Sequence, residues 1–220
     1  MKKNIADCQF HGFDCKVVIT GHTNGIGKVF YEYYKSLGCQ VVGFSRSMPY
    51  PGGFDISKKI ARKAILHECI DAKIFINVAF HKTGQLKMLE EITELWGLTD
   101  KRIVNLSSKI AHASKINERN KTIVLSKRKQ NRWIKKRFFR SQPRILNVVV
   151  GLVDTENSRE IYEADTMMPV EDLVHLVADL VEHNTINIQE VVVDVPNLDW
   201  SDIRVKENSN WSYEKWQKIT

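Results

Sequence analysis

The stretch that decides the fold is Lys16 to Lys28, KVVITGHTNGIGK. Its first half is a short apolar run of β-branched residues, which is typical of a strand buried on both faces of a parallel sheet. Three glycines follow, Gly21, Gly25 and Gly27, and the lack of Cβ atoms allows a sharp turn, a close ligand and a tightly packed helix. The spacing therefore predicts a strand, a glycine-rich turn and a helix that begins near Ile26.

The start of this helix is a candidate anion site. The first N–H groups of a helix have no partner within it, and the helix dipole places partial positive charge there. A dinucleotide pyrophosphate is the obvious anion for a glycine turn between a strand and a helix. A tight turn without a ligand is the alternative, because the order TGxxxGxG differs from the general GxGxxG pattern.

Length and composition indicate one soluble domain. The chain has 220 residues, 43% of them apolar, and no apolar run approaches the roughly 18 residues that a membrane-spanning helix needs. Polar and charged residues near the start interrupt any signal-peptide pattern, so we expect a cytoplasmic protein. The four cysteines show no CxxC spacing, which favours free or buried thiols over disulfides or zinc, and we expect no metal.

Positive charge is concentrated in one segment. Between Lys109 and Arg144 there are thirteen Lys or Arg and one acid, Glu118, whereas the whole chain carries a net charge of +7. Within this segment, residues 122–140 predict a long basic helix. The residues available for burial on it are Ile123, Trp133, Ile134 and Phe138. A solvated amphipathic helix is one interpretation, and contact with nucleic acid through phosphate charge and stacking is another.

Apolar periodicity continues the alternation of strands and helices along the chain. We predict further strands at 40–44, 73–79, 102–106, 145–150 and 189–195, with the end of a brief strand at 54–57. We predict further helices at 58–69, 86–96, 122–140 and from Pro169 onward. The residues expected to face the core of these helices include Ile60, Leu95 and Leu176. Ser57 is the expected cap of the helix at 58–69.

The unbroken alternation predicts an α/β protein, a single-domain Rossmann fold with a doubly wound parallel sheet and helices on both faces. We divide the chain into an N-terminal extension at 1–15, the Rossmann domain at 16–196 and a Trp-rich C-terminal tail at 197–220. The tail could pack on the domain, close the site or bind a partner.

The end of the second predicted strand carries Ser45 and Arg46. In nicotinamide-binding folds the adenosine ribose lies at this place, where an acid favours the 2′-hydroxyl and an arginine accommodates a 2′-phosphate. Arg46 therefore favours NADP over NAD. A solvated loop arginine is the alternative.

Motifs further along the chain resemble, in order, those of the short-chain dehydrogenase/reductase family, over roughly residues 15 to 196. Thr20-Gly21 with Gly25-Ile26-Gly27 is similar to TGxxxGIG, Asn77-Val78-Ala79 to NAG, and Asn105-Leu106-Ser107-Ser108 to NxSS. Asp55 in Phe54-Asp55-Ile56 resembles the family's adenine-contacting aspartate, and Ser126-Lys127 resembles the end of YxxSK. The stretches from Val150 to Thr155 and from Gln189 to Asp194 are similar to PGxxxT and GQxxxVD.

The resemblance implies roles for several residues. Ser108 would orient a substrate carbonyl, and Lys127 would hold the nicotinamide ribose and lower the pKa of a catalytic tyrosine. The tyrosine position is occupied by Ile123, which cannot transfer a proton. The 25 residues between Ala79 and Asn105 contain no asparagine to serve as the family's catalytic Asn. Neither of the two family residues that would complete the site, the tyrosine and the asparagine, is therefore found.

The cofactor site implied by the resemblance draws on most of these motifs. Its residues are Gly21, Thr23, Asn24, Gly25, Ile26, Gly27, Ser45, Arg46, Asp55, Ile56, Asn77, Val78, Ala79, Lys127, Gly151, Val153 and Thr155. The unknown small-molecule substrate would meet the family's variable loop, residues 156–168. The family's helix at this basic segment commonly forms a dimer, and eight basic residues between Lys127 and Arg140 oppose that packing, which leaves a homodimer open.

Two hypotheses of function follow. The first is an NADP-dependent oxidoreductase whose chemistry is weakened or altered by Ile123. The second is a non-enzymatic NADP-binding sensor or scaffold that contacts nucleic acid or another partner through the basic helix. Ser108 could simply cap the end of its strand, and His112 is a candidate substitute acid because imidazole titrates near neutral pH.

Overall fold

Strands and helices alternate along the chain in the computed structural model, which describes residues 15–48, 53–113, 116, 118, 120–137, 142–163, 166–182 and 186–195. The strands are β1 (Lys16–Thr20), β2 (Gln40–Phe44), β3 (Ile74–Asn77), β4 (Arg102–Ser108), β5 (Arg144–Val150), β6 (Val153–Asp154), β7 (Met168–Pro169) and β8 (Glu190–Val193). The helices are α1 (Gly25–Ser36), α2 (Lys59–Glu68), α3 (Gly84–Trp96), α4 (Lys121–Lys135), α5 (Glu156–Arg159) and α6 (Val170–Glu182).

Six of the strands form one sheet in the order β2-β1-β3-β4-β5-β8, and every neighbouring pair is parallel. Helices α1 and α6 pack on one face, and α2, α3 and α4 pack on the other. The strand order reverses at β1, because β2 lies on one side of it and β3 on the other. The predicted α/β class with a doubly wound parallel sheet is confirmed, and open sheets of this kind bind ligands at the reversal point.

The strand β1 supplies side chains to both apolar layers. Val17 and Ile19 face α1 and α6, whereas Val18 faces the opposite layer, as the alternation of a strand requires. All three side chains are fully buried. Burying each one contributes about 1.5–3 kcal/mol to folding, so the short β-branched run anchors the middle of the sheet.

A row of amides crosses three strands on the face covered by α3 and α4. Asn77, Asn105 and Asn147 are paired in register on β3, β4 and β5. Asn77 Nδ2 donates to Asn105 Oδ1 at 3.1 Å, and Asn105 Nδ2 donates to Asn147 Oδ1 at 2.8 Å. A buried amide that loses its partner costs about 1–3 kcal/mol, so this row favours a single strand register.

The buried face of α2 differs from the expected one. Ile60 is 69% exposed, whereas Arg62 is only 4% exposed. Arg62 forms a two-pronged ion pair with Glu91 on α3, at 3.0 Å for each contact, and its Nη1 donates to the carbonyls of Ile56 and Ser57. A guanidinium has five N–H donors, and these contacts provide acceptors for them, so the Arg62 side chain can be buried. Apolar periodicity assigns this buried position to Ile60 instead. The prediction for Ile60 was wrong.

The start of α2 and the exposure of two leucines also differ from what the sequence predicts. The residue before α2 is Lys58, so Ser57 does not cap this helix, and no strand forms at 54–57. Leu95 and Leu176 are 44% and 39% exposed, because they lie at the margins of the apolar stripes on α3 and α6.

The basic helix α4 is shorter than the sequence suggests. It ends at Lys135 and continues into a turn rather than to residue 140. Ile134 is buried, whereas Trp133 is half-buried and stacks with the Arg137 guanidinium at 4.4 Å from the ring centroid. The predicted burial of Phe138 lies outside the described residues.

Predictions for the extension at 1–14 and the tail at 197–220 also lie outside the described residues. Cys15, Cys39 and Cys69 are buried and are not joined in disulfides. None of the described helices combines the length and the apolar character needed to cross a membrane.

Candidate functional site

The glycine turn ties together the carboxyl ends of three strands. The backbone N–H of Gly21 donates to the Phe44 carbonyl at 2.7 Å, and the N–H of Ala79 donates to Thr20 Oγ1 at 3.2 Å. These contacts join β1 to β2 and β3 at the point where the strand order reverses. The turn therefore lies at the edge of the sheet where a ligand is expected.

Two glycines are required by the space around them. A Cβ on Gly27 would lie 2.1 Å from the Gly21 carbonyl oxygen, so α1 can start this close to β1 only without a side chain. Gly25 has a φ of +51°, in the left-handed region, and its Cβ would press on Thr155 at 3.3 Å. At both positions the surrounding atoms leave too little space for a side chain.

The N-terminus of α1 is suited to an anion. The side chain of Asn24, the residue before the helix, makes no capping hydrogen bond, and the first turn contains no acidic residue. The helix dipole and the first N–H groups are consequently not neutralised by the helix's own side chains. A phosphate oxygen at this place would accept hydrogen bonds from the backbone.

A cavity of about 360 Å³ lies along this edge of the sheet, within the size range of small-molecule sites. Most of the residues expected to bind a cofactor or substrate line it. They are Gly21, Thr23, Asn24, Gly25, Ile26, Ser45, Arg46, Asp55, Ile56, Val78, Ala79, Ser108, Ile123, Lys127, Gly151, Val153 and Thr155.

Two expected cofactor residues do not line the cavity. Gly27 is buried beneath the turn, against Gly21. Asn77 is fully buried in the amide row, and its Nδ2 also donates to the Gln85 carbonyl at 3.1 Å. Both residues shape the wall from behind rather than facing a ligand.

Hydroxyl groups surround the Arg46 end of the cavity. Ser45 Oγ lies 3.0 Å from Ser47 Oγ, which donates to Thr23 Oγ1 at 3.3 Å. A guanidinium beside several hydroxyl donors is a good environment for a phosphate group.

Asp55 supplies a carboxylate to the same region. Its Oδ1 accepts a hydrogen bond from the backbone N–H of Ser57 at 2.9 Å. Burial raises the pKa of Asp55, but hydrogen bonds from Ser57 outweigh it and hold the pKa below its usual value. The group is therefore an ionised acceptor at neutral pH.

Lys127 extends from α4 to the inner wall of the cavity. Its side chain is only 6% exposed. Its Nζ donates to Gln85 Oε1 and to the Leu106 carbonyl, each at 2.7 Å, and lies 5.2 Å from the centroid of the Phe80 ring. Burial lowers the pKa of Lys127 to about 7, because its contacts with neutral groups do not compensate for the lost hydration of the ammonium.

Gln85 holds the lysine in place, and sequence reasoning missed it. It is 1% exposed, and its Nε2 donates to the carbonyls of Asn77 and Leu106, each at 2.9 Å. This leaves Oε1 directed to Lys127. Gln85 is the only residue with a side-chain amide between Ala79 and Asn105, where the family's asparagine is missing. This is the one sequence signal that could have identified it.

Ser108 and Ile123 complete this part of the wall. Ser108 Oγ accepts from the backbone N–H of Ile110 at 3.3 Å and caps the 3₁₀ turn Lys109–His112. The cap and the cavity position are therefore compatible, because the hydroxyl hydrogen remains available to a ligand. Ile123 lies one helical turn before Lys127 and presents a half-buried apolar surface.

The loop after β6 adds residues that the sequence did not single out. Asn157, Ile161 and Tyr162 of this loop line the cavity, as does Phe80, which follows β3. Tyr162 is half-buried, burial raises the pKa of its phenol, and its hydroxyl has no hydrogen-bond partner among the described residues. The short parallel pair β6–β7 brackets this loop, which the resemblance had assigned to the substrate without choosing a residue.

His112 does not reach this cavity. It is exposed and lines a separate depression of about 460 Å³, together with Arg128, Arg132, Lys135 and Lys136. The hypothesis that His112 replaces a catalytic acid therefore has no structural basis. Within the described ranges, no group of three or more His, Cys, Asp or Glu residues could hold a metal ion.

Comparison with known proteins identifies the fold. The sequence matches no protein-family model and no curated protein. A short-chain dehydrogenase from Burkholderia cenocepacia in complex with NADP is 19% identical, with a TM-score of 0.68 over 85% of this chain and 90% of that chain. A 3-alpha-hydroxysteroid dehydrogenase from a Pseudomonas species, complexed with NADH, is 15% identical, with a TM-score of 0.65 over 81% of this chain and 95% of that chain.

A 3-ketoacyl-(acyl-carrier-protein) reductase from Brucella melitensis, complexed with NADH, is similar to the same degree. It is 17% identical, with a TM-score of 0.65 over 83% of this chain and 97% of that chain. At such identities the likeness establishes the fold, and at this level the resemblance inferred from the ordered motifs is confirmed.

Proposed function

We propose that this chain, which has the fold of the short-chain dehydrogenases/reductases, binds NADP in the cavity and acts as an oxidoreductase with altered proton transfer. The observation that carries the proposal is the convergence of separate motifs on one cavity at the reversal of strand order. Fold neighbours solved with NADP or NADH support a dinucleotide as its ligand.

The residues on the wall fit such a ligand along the length of the cavity. The backbone at Gly25 and Ile26 would bind the pyrophosphate, since the helix start is not neutralised by an acid. Arg46 and the neighbouring hydroxyls would bind a ribose 2′-phosphate, which favours NADP over NAD. Asp55 would accept hydrogen bonds from the adenine.

Lys127 and the stretch from Gly151 to Thr155 would lie beside the nicotinamide ribose and ring, as the resemblance implies. When bound, the reduced nicotinamide supplies a hydride. The protein must then orient a carbonyl and provide a proton. Ser108 can orient the carbonyl, because its hydroxyl hydrogen remains available for donation.

The proton source is what distinguishes this site from the family pattern. Ile123 cannot supply a proton, and the acidic groups on the nearby wall are the Lys127 ammonium and the Tyr162 phenol. Loss of a positioned acid typically lowers the rate by a factor of about 10² to 10⁴. We therefore expect slow turnover, or a substrate that takes its proton from one of these two groups.

A non-enzymatic NADP-binding sensor or scaffold is the second candidate. The basic depression beside α4 favours it, since Arg132, Lys135 and Lys136 would attract an anionic partner such as RNA. Retention of RNA that falls with salt, and that is lost in the triple Gln variant of these residues, would support this candidate. Turnover of carbonyl compounds would support the enzyme instead.

Thermal unfolding with NADPH and with NADH tests the proposal. At a nucleotide concentration of about 100 dissociation constants, bound ligand should stabilise the protein by about 2.7 kcal/mol. We expect the larger shift with NADPH. If neither NADPH nor NADH at saturating concentration raises the unfolding temperature, both candidates that depend on NADP are wrong.

A further inference from the structure

The amine of Lys127 is arranged as a nucleophile. A neutral amine has two N–H donors and one lone pair at roughly tetrahedral directions. The two hydrogen bonds to Gln85 Oε1 and the Leu106 carbonyl, both 2.7 Å, use the two donors. The lone pair must then point away from both acceptors, and Lys127 lines the cavity.

The surroundings also favour the neutral amine. Among the described residues Lys127 forms no ion pair, and the elements packed against it supply an amide oxygen from α3, a carbonyl from β4 and the Phe80 ring. The lowered pKa, about 7, has burial as its cause. Ionisable side chains elsewhere on the cavity wall are Arg46, Asp55, His81 and Tyr162. A desolvated lysine in an apolar pocket is the usual form of an activated amine.

We propose that Lys127 forms a covalent imine with small aldehydes or ketones that enter the cavity. Ile123 and Phe80 provide apolar surface beside the amine, which suits the hydrocarbon part of such a molecule. Ser108 provides a hydroxyl whose hydrogen can be donated to the carbonyl oxygen. An isoleucine one turn before the lysine leaves more space there than a tyrosine would.

The reaction needs no oxidant or reductant. The lone pair of Nζ attacks the carbonyl carbon, a C–N bond forms, and the π electrons of the carbonyl move to oxygen. A proton passes from nitrogen to that oxygen, which gives a carbinolamine. Protonation of its hydroxyl by the Tyr162 phenol, which also lines the cavity, releases water and leaves the protonated imine and a phenolate that regains its proton from solvent. The step reverses by hydrolysis.

The imine does not depend on a bound dinucleotide. It can be trapped in nucleotide-free protein, so a failure to form it would leave NADPH binding unaffected. Equally, an absent thermal shift with NADPH would say nothing about the imine. The two proposals share a cavity, but their tests are separate.

Trapping with propionaldehyde and sodium cyanoborohydride tests the proposal. The full-length protein is treated without nucleotide at pH 6, 7, 8 and 9, and peptide mass mapping locates each propyl group. At pH 7 we expect the Lys127 peptide to be labelled at least about tenfold faster than the Lys129 peptide. The reason is that roughly half of the Lys127 amine is neutral at this pH, against fewer than about one in a thousand for an ordinary lysine.

Two variants serve as controls. Lys127→Met should lose the label at this peptide, whereas Lys129→Arg, which changes an exposed residue on the same helix, should retain full labelling of Lys127. The N-terminal amine also reacts near neutral pH and is followed on its own peptide. Should Lys127→Met fail to fold, the mapping of the unchanged protein decides. If its Lys127 peptide is labelled no faster than that of Lys129 at pH 7, the proposal is overturned.

Discussion

Nζ of Lys127 lies 2.7 Å from Oε1 of Gln85, and both side chains are buried. This contact links α4 to α3 behind the cavity, and it ties a potentially charged group to a neutral amide. The hydrogen bond replaces part of the hydration energy that the ammonium loses on burial. The lowered pKa of Lys127 shows that this replacement is incomplete. The protonation state of this lysine is therefore coupled to the folding of the domain.

The stability of the protein should depend on pH through Lys127. Its pKa is about 7 in the folded protein, against about 10.4 in an unfolded chain. Between these values the unfolded chain binds a proton that the folded protein does not, so this group makes stability rise with pH, while below about pH 7 the full cost of burying the charge remains. Urea unfolding at pH 7, 8 and 9 should show the wild type gaining about 1 kcal/mol from pH 7 to 8 and about 1.3 kcal/mol from pH 8 to 9, relative to Lys127→Met.

The matched control is Lys129→Met, which removes an exposed lysine from the same helix. Its stability relative to the wild type should show no comparable slope. A pH-independent difference between the wild type and Lys127→Met would mean that the buried amine does not titrate in this range.

Gly27→Ala should damage both folding and nucleotide binding. The new Cβ would lie 2.1 Å from the Gly21 carbonyl oxygen, so α1 must move away from the turn. Gly97→Ala is the control, because no atom lies within 4 Å of its Cβ, although Gly97, unlike Gly27, has a positive φ of +49°. We expect the control to cost about 1–3 kcal/mol from backbone strain alone.

Gly27→Ala should cost more than this control and should weaken NADPH binding at least about tenfold, which corresponds to 1.4 kcal/mol. Denaturant unfolding and nucleotide fluorescence titration measure the two effects. Equal affinities in the two alanine variants would contradict the assignment of the pyrophosphate to this turn.

Arg46→Ala should reduce the preference for NADPH. A guanidinium that binds the 2′-phosphate adds a charge-assisted interaction worth about 1.5–3 kcal/mol. We therefore expect the NADPH affinity to fall by roughly tenfold to a hundredfold, with little change for NADH. The control is Arg132→Ala, in the separate basic depression, which should alter neither affinity. Equal losses for both nucleotides would refute the assignment.

Ile123→Tyr should increase the reduction of carbonyl compounds. The substitution places a phenol on the cavity wall one helical turn before Lys127, where the family pattern has its tyrosine. A positioned acid contributes a factor of about 10² to 10⁴. Consumption of NADPH over a panel of aldehydes and ketones measures the gain.

Ile123→Phe is the control for this substitution, because it adds the ring without the hydroxyl. If turnover rises as much in Ile123→Phe as in Ile123→Tyr, the shape of the side chain rather than proton transfer limits turnover. No increase in either variant would indicate that the rest of the site cannot support the reaction, and it would favour the sensor or scaffold.

Local patterns determined the order of elements. The β-branched run before three glycines, and the periodic helices that follow, are short-range features, so strand β2 could be predicted at the residues where it lies. The same patterns indicated the glycine turn and most of the cavity wall, because the carboxyl ends of parallel strands meet at one edge of the sheet. The count of charged residues also predicted that positive charge is concentrated on α4.

Tertiary structure alone decided which polar groups are buried and what they contact. Apolar periodicity placed Ile60 inside, but the ion pair between Arg62 and Glu91 fills that layer instead. The contact between Gln85 and Lys127 joins residues 42 positions apart, and Tyr162 reaches the cavity from a loop without any pattern. The free energy of a buried polar group depends on partners brought from distant parts of the chain, and no local pattern records those partners.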